Sequence, residues 1–559
     1  MRHQSILIGL AGLLLGLPAA LAQAPGDSGR EQLGMEPRQT SPLPLENDTT
    51  EPLPLDSEPS ATRPAERPGM DLQLPEGWNV ASPDDIGEPL QLSVENAVFL
   101  ALQNNRDLAV QQLEPLIAGT FEAVERARFD PTLFGELSLQ RDSVIRQSPD
   151  IQQEFAVRSQ SEVGEIGIRQ ELPTGTSLEL SISSDRSDSS RTLEQFGSRA
   201  GVSLTQALLQ GASIESNLAQ LRQAELDTLA SVYQVRGFAE ALVEDVELTY
   251  WDFVLAQRQL EIFREALAVA EQQLEETRRR IEVGDRPETE ETSARAEVAL
   301  RRQGVIEARN DRERARITLL QLINPPGAGW ASPVETEDAP DGEADEPDPV
   351  TDHVTLGQRL RPDLNEARLQ VQRGELEVVR TRSGLLPRLD LFVTLGKTGF
   401  ARSFGESWRD IDDSGFDLAA GLSFELPLGN RAARAESRRA GLDRQQAMEA
   451  VGNLAQLAAL DVQLAWLEAE RSREQINATA VTRQLQEEVL RAEQARFSVG
   501  AGTALAVSQA QRDLLESQLD EVEAAIRYRQ ALTTLHRQSG TLLVRRGIEA
   551  PGAEEVVLR

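Results

Sequence analysis

Two very long segments with helical spacing of their apolar residues dominate this chain, at 212–283 and 431–499. The apolar residues recur every three or four positions, as in Phe263, Leu267, Ala270 and Leu274, and again in Leu457, Leu460, Leu464 and Leu467. This spacing predicts coiled-coil packing. At ~1.5 Å per residue each helix would be roughly 100 Å long, whereas an average globular helix has about 11 residues. The chain must therefore fold around long helices whose Glu, Gln and Arg faces stay in water.

Each long segment belongs to one half of a tandem repeat. The stretch AGVSLTQALLQGAS (200–213) resembles AGLSFELPLGNRAA (420–433), and both halves show a helix, strands, a long helix, a tight turn and a shorter helix. The first half is predicted at 90–325, with strands 132–207, the long helix 212–283 and a helix 288–323. The second half is predicted at 353–540, with strands 388–426, the long helix 431–499 and a helix 503–540. An acidic linker, 326–352, separates the halves, and a C-terminal tail, 541–559, follows.

The N-terminus has the features of a secretory signal peptide. Arg2 and His3 precede an apolar run from Ile6 to Leu17, and Ala20-Leu21-Ala22 follows. We expect a signal peptide over 1–22, followed by a disordered acidic, Pro-rich extension over 23–85. No other stretch reaches the about 18 apolar residues of a transmembrane helix, so none is expected in the mature protein.

Composition argues against several classes of function. Acidic residues outnumber basic ones, 91 to 57, and this excess of negative charge argues against a nucleic-acid partner. The chain has no cysteine and only three histidines, at positions 3, 353 and 536, so no metal-ligand spacing is present. It also lacks the G-x-S-x-G, P-loop and G-x-G-x-x-G motifs. We therefore expect no enzymatic activity, no metal and no cofactor.

The strand segments alternate apolar and polar residues, which is typical of a strand with two unlike faces. In GFDLAAGLSFELPLGN (415–430), Leu418 and Leu422 fall on one parity and Asp417 and Ser423 on the other. The segment EIGIRQELPTGTSLELSIS (165–183) contains two more such strands around a Pro-Thr-Gly turn. The other connections of the first half, 142–160 and 185–198, are predicted to be long polar loops. Short turns at one end and long loops at the other are typical of outer-membrane barrels.

Two structures remain open from the pattern alone. A half-buried strand of a soluble sheet also alternates, and a soluble coiled-coil rod would explain the helices and the charge but not the strands. A sheet in lipid must close on itself, and one chain has too few strands for that. A barrel would therefore require several copies of the chain.

At this level the sequence resembles the TolC-type outer-membrane efflux proteins over about residues 90–540. The resemblance rests on LQLSVENAVFLALQNNRDLAV (90–110), FDPTL, SLTQALLQGA, VELTYWDFVLAQRQLE and the two Val-Gly turns, in this order and duplicated. It implies a mostly α fold with a membrane β-barrel. Long coiled-coil helices of a homotrimer would form a periplasmic α-barrel, and strands from each chain would form one shared transmembrane β-barrel.

The resemblance also implies a function. The protein would be a trimeric outer-membrane exit duct of a tripartite efflux or type I secretion system, extending into the periplasm. Its partners would be a periplasmic adaptor, an inner-membrane pump and outer-membrane lipid. The alternative is a soluble or peripheral periplasmic coiled-coil adaptor. The transported substrate and the class of pump stay open.

The resemblance assigns the two Val-Gly turns to the periplasmic tip that contacts the adaptor, at Val283, Gly284, Val499 and Gly500. An acidic ring at the aperture is expected from Glu288, Glu290 and Glu291, and a narrow pore would raise some of their pKa values. The alternative is a solvated acidic start of the following helix, which suits the helix dipole. The family often has Tyr where this chain has Phe497, so a hydroxyl hydrogen bond is lost at the tip.

The strand alternation assigns one face to lipid. The residues expected there are Leu391, Val393, Leu418, Leu422 and Leu426. The additional strands of the first half further predict more than the family's usual four barrel strands per protomer.

Overall fold

The structure is a computed structural model that describes residues 90–147, 154–190, 192–284, 286–325, 330, 332–339, 346–411 and 415–558. The predicted signal peptide and acidic extension lie outside these residues. Within the described part of the chain, none of the helices combines the length and apolar character needed to cross a membrane.

The first half contains six helices and five strands among the described residues, in the expected order. The strands are β1 Leu90–Leu92, β2 Thr132–Gln147, β3 Glu154–Leu172, β4 Thr176–Ser189 and β5 Thr192–Ala207. The helices are α1 Val94–Asn104, α2 Arg106–Gln111, α3 Glu114–Arg126, α4 Ile214–Asn217, α5 Ala219–Glu282 and α6 Thr289–Ile323, with a 3-10 turn at Ala127–Phe129.

The second half repeats this order with fewer strands. Its strands are β6 Val334–Thr336, β7 Arg388–Ala401 and β8 Phe416–Glu425. Its helices are α7 Val350–Leu360, α8 Pro362–Ser383, α9 Phe404–Asp410, α10 Arg431–Ser498, α11 Ala504–Gln538 and α12 Leu542–Arg545.

Six strands form one antiparallel sheet in the order β2-β3-β4-β5-β7-β8. The hairpin β3–β4 around the Pro-Thr-Gly turn lies inside this sheet, and Gly175 of that turn has φ 75°. A Cβ there would stand 2.1 Å from the Gly211 carbonyl oxygen, so both the conformation and the space require glycine. One chain therefore contributes six strands, which agrees with the prediction of more than four.

Two predicted loops are wrong. Residues 142–160 were expected to be a polar loop, but β2 and β3 pair through this region, for example at Ser143 and Arg158. Residues 185–198 likewise pair between β4 and β5, for example at Arg186 and Phe196. These strand ends are mostly polar, and their few apolar residues, such as Val144 and Ile145, do not alternate with polar ones, so the pattern that marks a strand is absent although the backbones pair.

The described residues of the acidic linker include secondary structure that the sequence pattern does not predict. Within 326–352, β6 pairs in parallel with β1, and α7 begins at Val350. Tyr250 of α5 fixes the pair, because its hydroxyl, which has one proton to donate, lies 3.0 Å from the Leu92 carbonyl oxygen and 2.8 Å from the Asp338 carboxylate. The sequence does not predict β6, because a strand of three residues that pairs through its backbone is too short to show an alternating side-chain pattern.

The helices pack as neighbouring layers around α5, which contacts α3, α8, α6 and α11, while α10 contacts α8 and α11. The first long helix begins at Ala219 instead of 212, because the chain makes the short helix α4 first. The largest core cluster lies midway along α5, around Val246, Tyr250 and Phe253.

The C-terminal tail belongs to the same core. Leu542 and Leu543 are fully buried in it. Arg546 donates two hydrogen bonds of 2.6 Å to the buried Glu247 of α5. Farther along, the Val556 amide donates to Asn365 of α8 (2.9 Å). The tail therefore ties the two halves together.

Candidate functional site

The two Val-Gly turns join the long helices to the shorter ones at the end of the molecule away from the sheet. Gly284 follows α5 with φ 78°, and its amide donates to the Ile281 carbonyl (2.9 Å). Gly500 follows α10 with φ 76°, and its amide donates to the Phe497 carbonyl (3.2 Å). The preceding residues, Val283 and Val499, are 80% and 78% exposed. The turns thus present two exposed valines to any partner at this end.

The two turns are held together by an aromatic ring between arginines. The guanidinium of Arg286, just after the first turn, lies 4.4 Å from the centroid of the Phe497 ring at the end of α10. The Arg280 guanidinium lies 5.8 Å from the same ring. Cation–π contacts at partly exposed sites contribute about 0.5–1 kcal/mol each. Phe497 therefore joins the two hairpins without the hydroxyl that a tyrosine would supply.

The three acidic residues after the first turn do not have equivalent surroundings. Glu288 is exposed, whereas Glu290 pairs with Arg286 at 3.5 Å. Glu291 accepts hydrogen bonds from Arg278 (3.0 Å) and Arg295 (2.6 Å). The hydrogen bond from Arg278 holds the pKa of Glu291 below its usual value. This pKa is that of a single chain, so a rise in the pKa of some of these carboxylates in a narrow pore stays a prediction.

Two open cavities of about 340 and 330 Å³ lie between the hairpins beside these turns. Both are lined by Gln273, Thr277, Glu290 and Phe497. Gln511 of α11 donates to Gln273 of α5 (3.0 Å), and Arg512 of α11 pairs with Glu297 of α6 (3.3 Å). Helix α11 is therefore bound to both helices of the first hairpin. Across the described ranges, no cluster of three or more His, Cys, Asp or Glu could hold a metal ion.

At the other end, the strand register places the apolar positions of all six strands on one face of the sheet. Leu422 pairs with Leu391, Val393 with Leu204, Leu180 with Ile168, and Ile168 with Leu133. We call this face the apolar band, with Leu133, Leu137, Leu139, Ile166, Ile168, Leu178, Leu180, Ile182, Ala200, Val202, Leu204, Leu389, Leu391, Val393, Leu395, Leu418, Ala420, Leu422 and Phe424.

The band is not covered by the rest of the chain. Leu418 and Leu422 are 63% and 64% exposed. Four of the five residues predicted to face lipid lie in it, and the fifth, Leu426, follows the last residue of β8. A continuous exposed apolar surface of this kind marks a contact with a lipid or a protein.

The opposite face is polar and carries ion pairs. Arg199 donates to Asp417 at 2.8 Å, and Arg169 pairs with Glu179 at 2.7 Å. Ser423 lies on this face opposite Asp390. The sheet thus has one apolar face and one polar, charged face.

A second exposed apolar surface runs along α10. The helix side carries Leu457, Leu460, Leu464, Leu467, Val481, Leu485 and Val489, which are 46% to 58% exposed. A shorter row on α2 and α3 comprises Val110, Leu113, Ile117, Phe121 and Val124, which are 48% to 63% exposed. Heptad-spaced apolar residues normally face another helix. Both rows lack such a helix within the described part of this chain.

Two histidines, the buried His353 and the half-buried His536, lie near the C-terminal core. The rings of His353 and His536 are stacked 6.3 Å apart. Burial, and then the nearby charges of Arg545 and Arg546, lower the pKa of His536 from 6.5 to about 3. Burial also lowers the pKa of His353. Both rings are therefore neutral at ordinary pH.

Comparison with known proteins adds to this geometry. A profile of the family described as "Outer membrane efflux protein" matches residues 175–325 and 358–541, which is more than half of the chain. Over 211 residues the chain is 28% identical to the Alkaline protease secretion protein AprF of Pseudomonas aeruginosa. That match covers 36% of this chain and 42% of the relative, so it spans less than half of the relative's length.

Solved structures share the fold. A membrane protein from Pseudomonas aeruginosa is 19% identical with a TM-score of 0.60, over 80% of this chain and 90% of that chain. The CmeC outer membrane channel of Campylobacter jejuni is 15% identical with a TM-score of 0.59, over 85% of this chain and 94% of that chain. The predicted fold class, long helices with a sheet, is confirmed.

Proposed function

This chain belongs to the outer membrane efflux protein family, and on that premise we propose that three copies form the exit duct of a tripartite efflux or type I secretion system. The observation that carries this proposal is the apolar band, which crosses all six strands and is left exposed by the chain itself. A band of this kind fits the hydrocarbon layer of the outer membrane. The polar face behind it would line a water-filled pore.

The sheet supports closure by several copies. Its edge strands, β2 and β8, have no partner on their outer sides within the described residues. Unpaired backbone groups are not tolerated in lipid, so β8 of one copy would pair with β2 of the next. Three copies of six strands give an eighteen-stranded barrel. With strands about 4.8 Å apart and tilted by ~40°, its backbone diameter is about 36 Å.

The helices support the same assembly. The exposed row on α10 offers one copy a heptad seam for a helix of the next copy, and the row on α2 and α3 offers a shorter one. Full burial of a leucine or valine side chain contributes about 1.5–3 kcal/mol, so the seven residues of the α10 row in each chain amount to a substantial driving force for assembly. A trimer closed in this way would form a helical tunnel below the barrel.

The partners follow from the same premise. We propose that the exposed turns Val283-Gly284 and Val499-Gly500 contact a periplasmic adaptor joined to an inner-membrane pump. Efflux of small molecules and secretion of polypeptides both remain open as the cargo.

Disulfide trapping tests the trimer directly, because the chain has no native cysteine. Cysteines placed along β2 and β8 should give two- and three-chain products after oxidation in outer membranes. Ser183→Cys combined with Arg199→Cys is the matched control, because these positions are paired within one chain and should give only an internal disulfide. A chain recovered as a soluble monomer, with no multi-chain products, would contradict the proposal.

A further inference from the structure

The short helix α9 lies at the end of the sheet farthest from the long helices. It follows β7, which ends at Ala401, and it contacts both β7 and β5. The long helices connect at the opposite strand ends, where α8 precedes Arg388 and α5 comes after Ala207. In the assembly proposed above, α9 therefore stands at the outer end of the barrel.

The contacts of α9 define which face of the sheet it covers. The hydroxyl groups of Ser407 and Ser198 are 2.7 Å apart, and both side chains are buried. A Cβ on Gly399 would stand 2.2 Å from the Ser407 carbonyl oxygen, so glycine permits the close approach. Ser198 pairs with Gly399, and these two residues continue the rows of Val202 and Leu395. The helix thus lies on the same side of the sheet as the apolar band, beyond the last residues of the band, and leaves the polar face free.

Two aromatic rings lie on this helix, one turn apart. Phe404 and Trp408 make an edge-to-face contact with centroids 6.2 Å apart, and Phe404 is 55% exposed although Ser407 beside it is fully buried. Gly399 lies four residues beyond Leu395, which is the last residue of the apolar band in β7. At about 3.4 Å per residue and a tilt of ~40°, α9 is roughly 10 Å above the edge of the band. Tryptophan and other aromatic residues are enriched where hydrocarbon meets lipid headgroups.

We propose that α9 is a lipid anchor, with the rings of Phe404 and Trp408 inserted at the headgroup boundary of the outer leaflet. This inference rests on the proposed function, because it takes the apolar band as the lipid-facing surface. The anchor would hold the exit end of the barrel at a fixed height in the membrane. Its main strand contacts are with β5 and β7, the fourth and fifth of the six strands, whereas copies would join at the edge strands β2 and β8.

Quenching of tryptophan fluorescence by brominated lipid tests the anchor. The full-length assembly is reconstituted in phosphatidylcholine vesicles whose acyl chains carry bromine near the headgroup. The emission of the wild-type protein minus that of Trp408→Phe gives the emission of Trp408. Most of this difference should be lost in brominated vesicles relative to unbrominated ones. Trp466→Phe is the control, because Trp466 lies on α10 and its indole donates to the Asp348 carbonyl (3.0 Å); its difference should not change.

A second reporter separates failure of the anchor from failure of the proposed function. Leu422→Trp places a tryptophan in the apolar band, and bromine deeper in the acyl chains should quench it. Quenching of the tryptophan at 422 without quenching of Trp408 would overturn the anchor alone. If neither is quenched in vesicles that hold the protein, the band does not contact lipid and both proposals fail.

Discussion

Replacing Leu422 by arginine is the sharpest test of the two faces of the sheet. Leu422 pairs with Leu391, one residue from the centre of the apolar stretch Leu389–Leu395 of β7. At about 3.4 Å per residue, it lies within ~3 Å of the middle of the band. Arginine at the bilayer midplane of a barrel costs ~2–4 kcal/mol, so three chains would lose roughly 6–12 kcal/mol if their contributions add.

The neighbouring residue supplies a matched control. Ser423 is exposed on the polar face opposite Asp390, whose carboxylate already pairs with Arg388 at 2.6 Å, so Ser423→Arg would place its charge on the polar side of the sheet near an opposite charge. This substitution should cost well under 1 kcal/mol. Urea titration of the protein folded into vesicles measures both variants, and the resistance of the oligomer to heating in detergent gives an independent readout. Equal losses for the two variants would refute the assignment of the faces.

Four further predictions concern the helical part. Phe497→Leu should weaken the contact with Arg286 by about 0.5–1 kcal/mol and increase the open fraction of single channels, whereas Phe497→Tyr should not; unchanged gating in both would show that the ring does not hold the turns. Glu290→Gln should reduce the cation selectivity of the channel, and an unchanged reversal potential would leave Glu290 only as a partner of Arg286. Leu464→Lys should lower the trimer fraction in sedimentation experiments, because a charge then enters the exposed row of α10; a normal trimer would contradict the seam. His536 has a pKa of 6.5 in the unfolded chain but of about 3 in the folded protein. Its contribution to the free energy of unfolding is therefore present above pH 6.5 and is lost as the pH falls toward 3, with a loss of about 2 kcal/mol between pH 7 and pH 5. The difference in free energy of unfolding between the wild type and His536→Asn should change by this amount between pH 7 and pH 5, and an unchanged difference would contradict the pKa of His536.

Features that depend on neighbours in sequence were predictable. The Val-Gly turns need a left-handed residue between antiparallel helices, and only glycine adopts that conformation without strain, as at Gly284 and Gly500. Strand faces follow from a period of two, so Leu418 and Leu422 could be assigned before any register was known. The same alternation on both sides of a Pro-Thr-Gly turn indicated the additional hairpin.

Features that depend on distant contacts were not predictable. Arg286 and Phe497 are far apart in sequence, and nothing around either residue signals the other. The polar ends of β2 through β5 have no apolar face and so read as loops, although their backbones pair. The acidic ring stays a prediction, because its geometry depends on other copies of the chain. The pairing of Glu290 and Glu291 with arginines could not be read from a simple count of charges.

The hairpin β3–β4 enters and leaves the sheet at the same end, since β2 ends and β5 begins there. Its removal would let β2 turn directly into β5, with no change in the direction of any other strand or in the attachment of any helix. In the proposed trimer, each hairpin gained or lost per chain would change the barrel by six strands, which corresponds to about 12 Å in diameter. The width of the outer opening is thus a modular property of this architecture that can vary independently of the helical conduit beneath it.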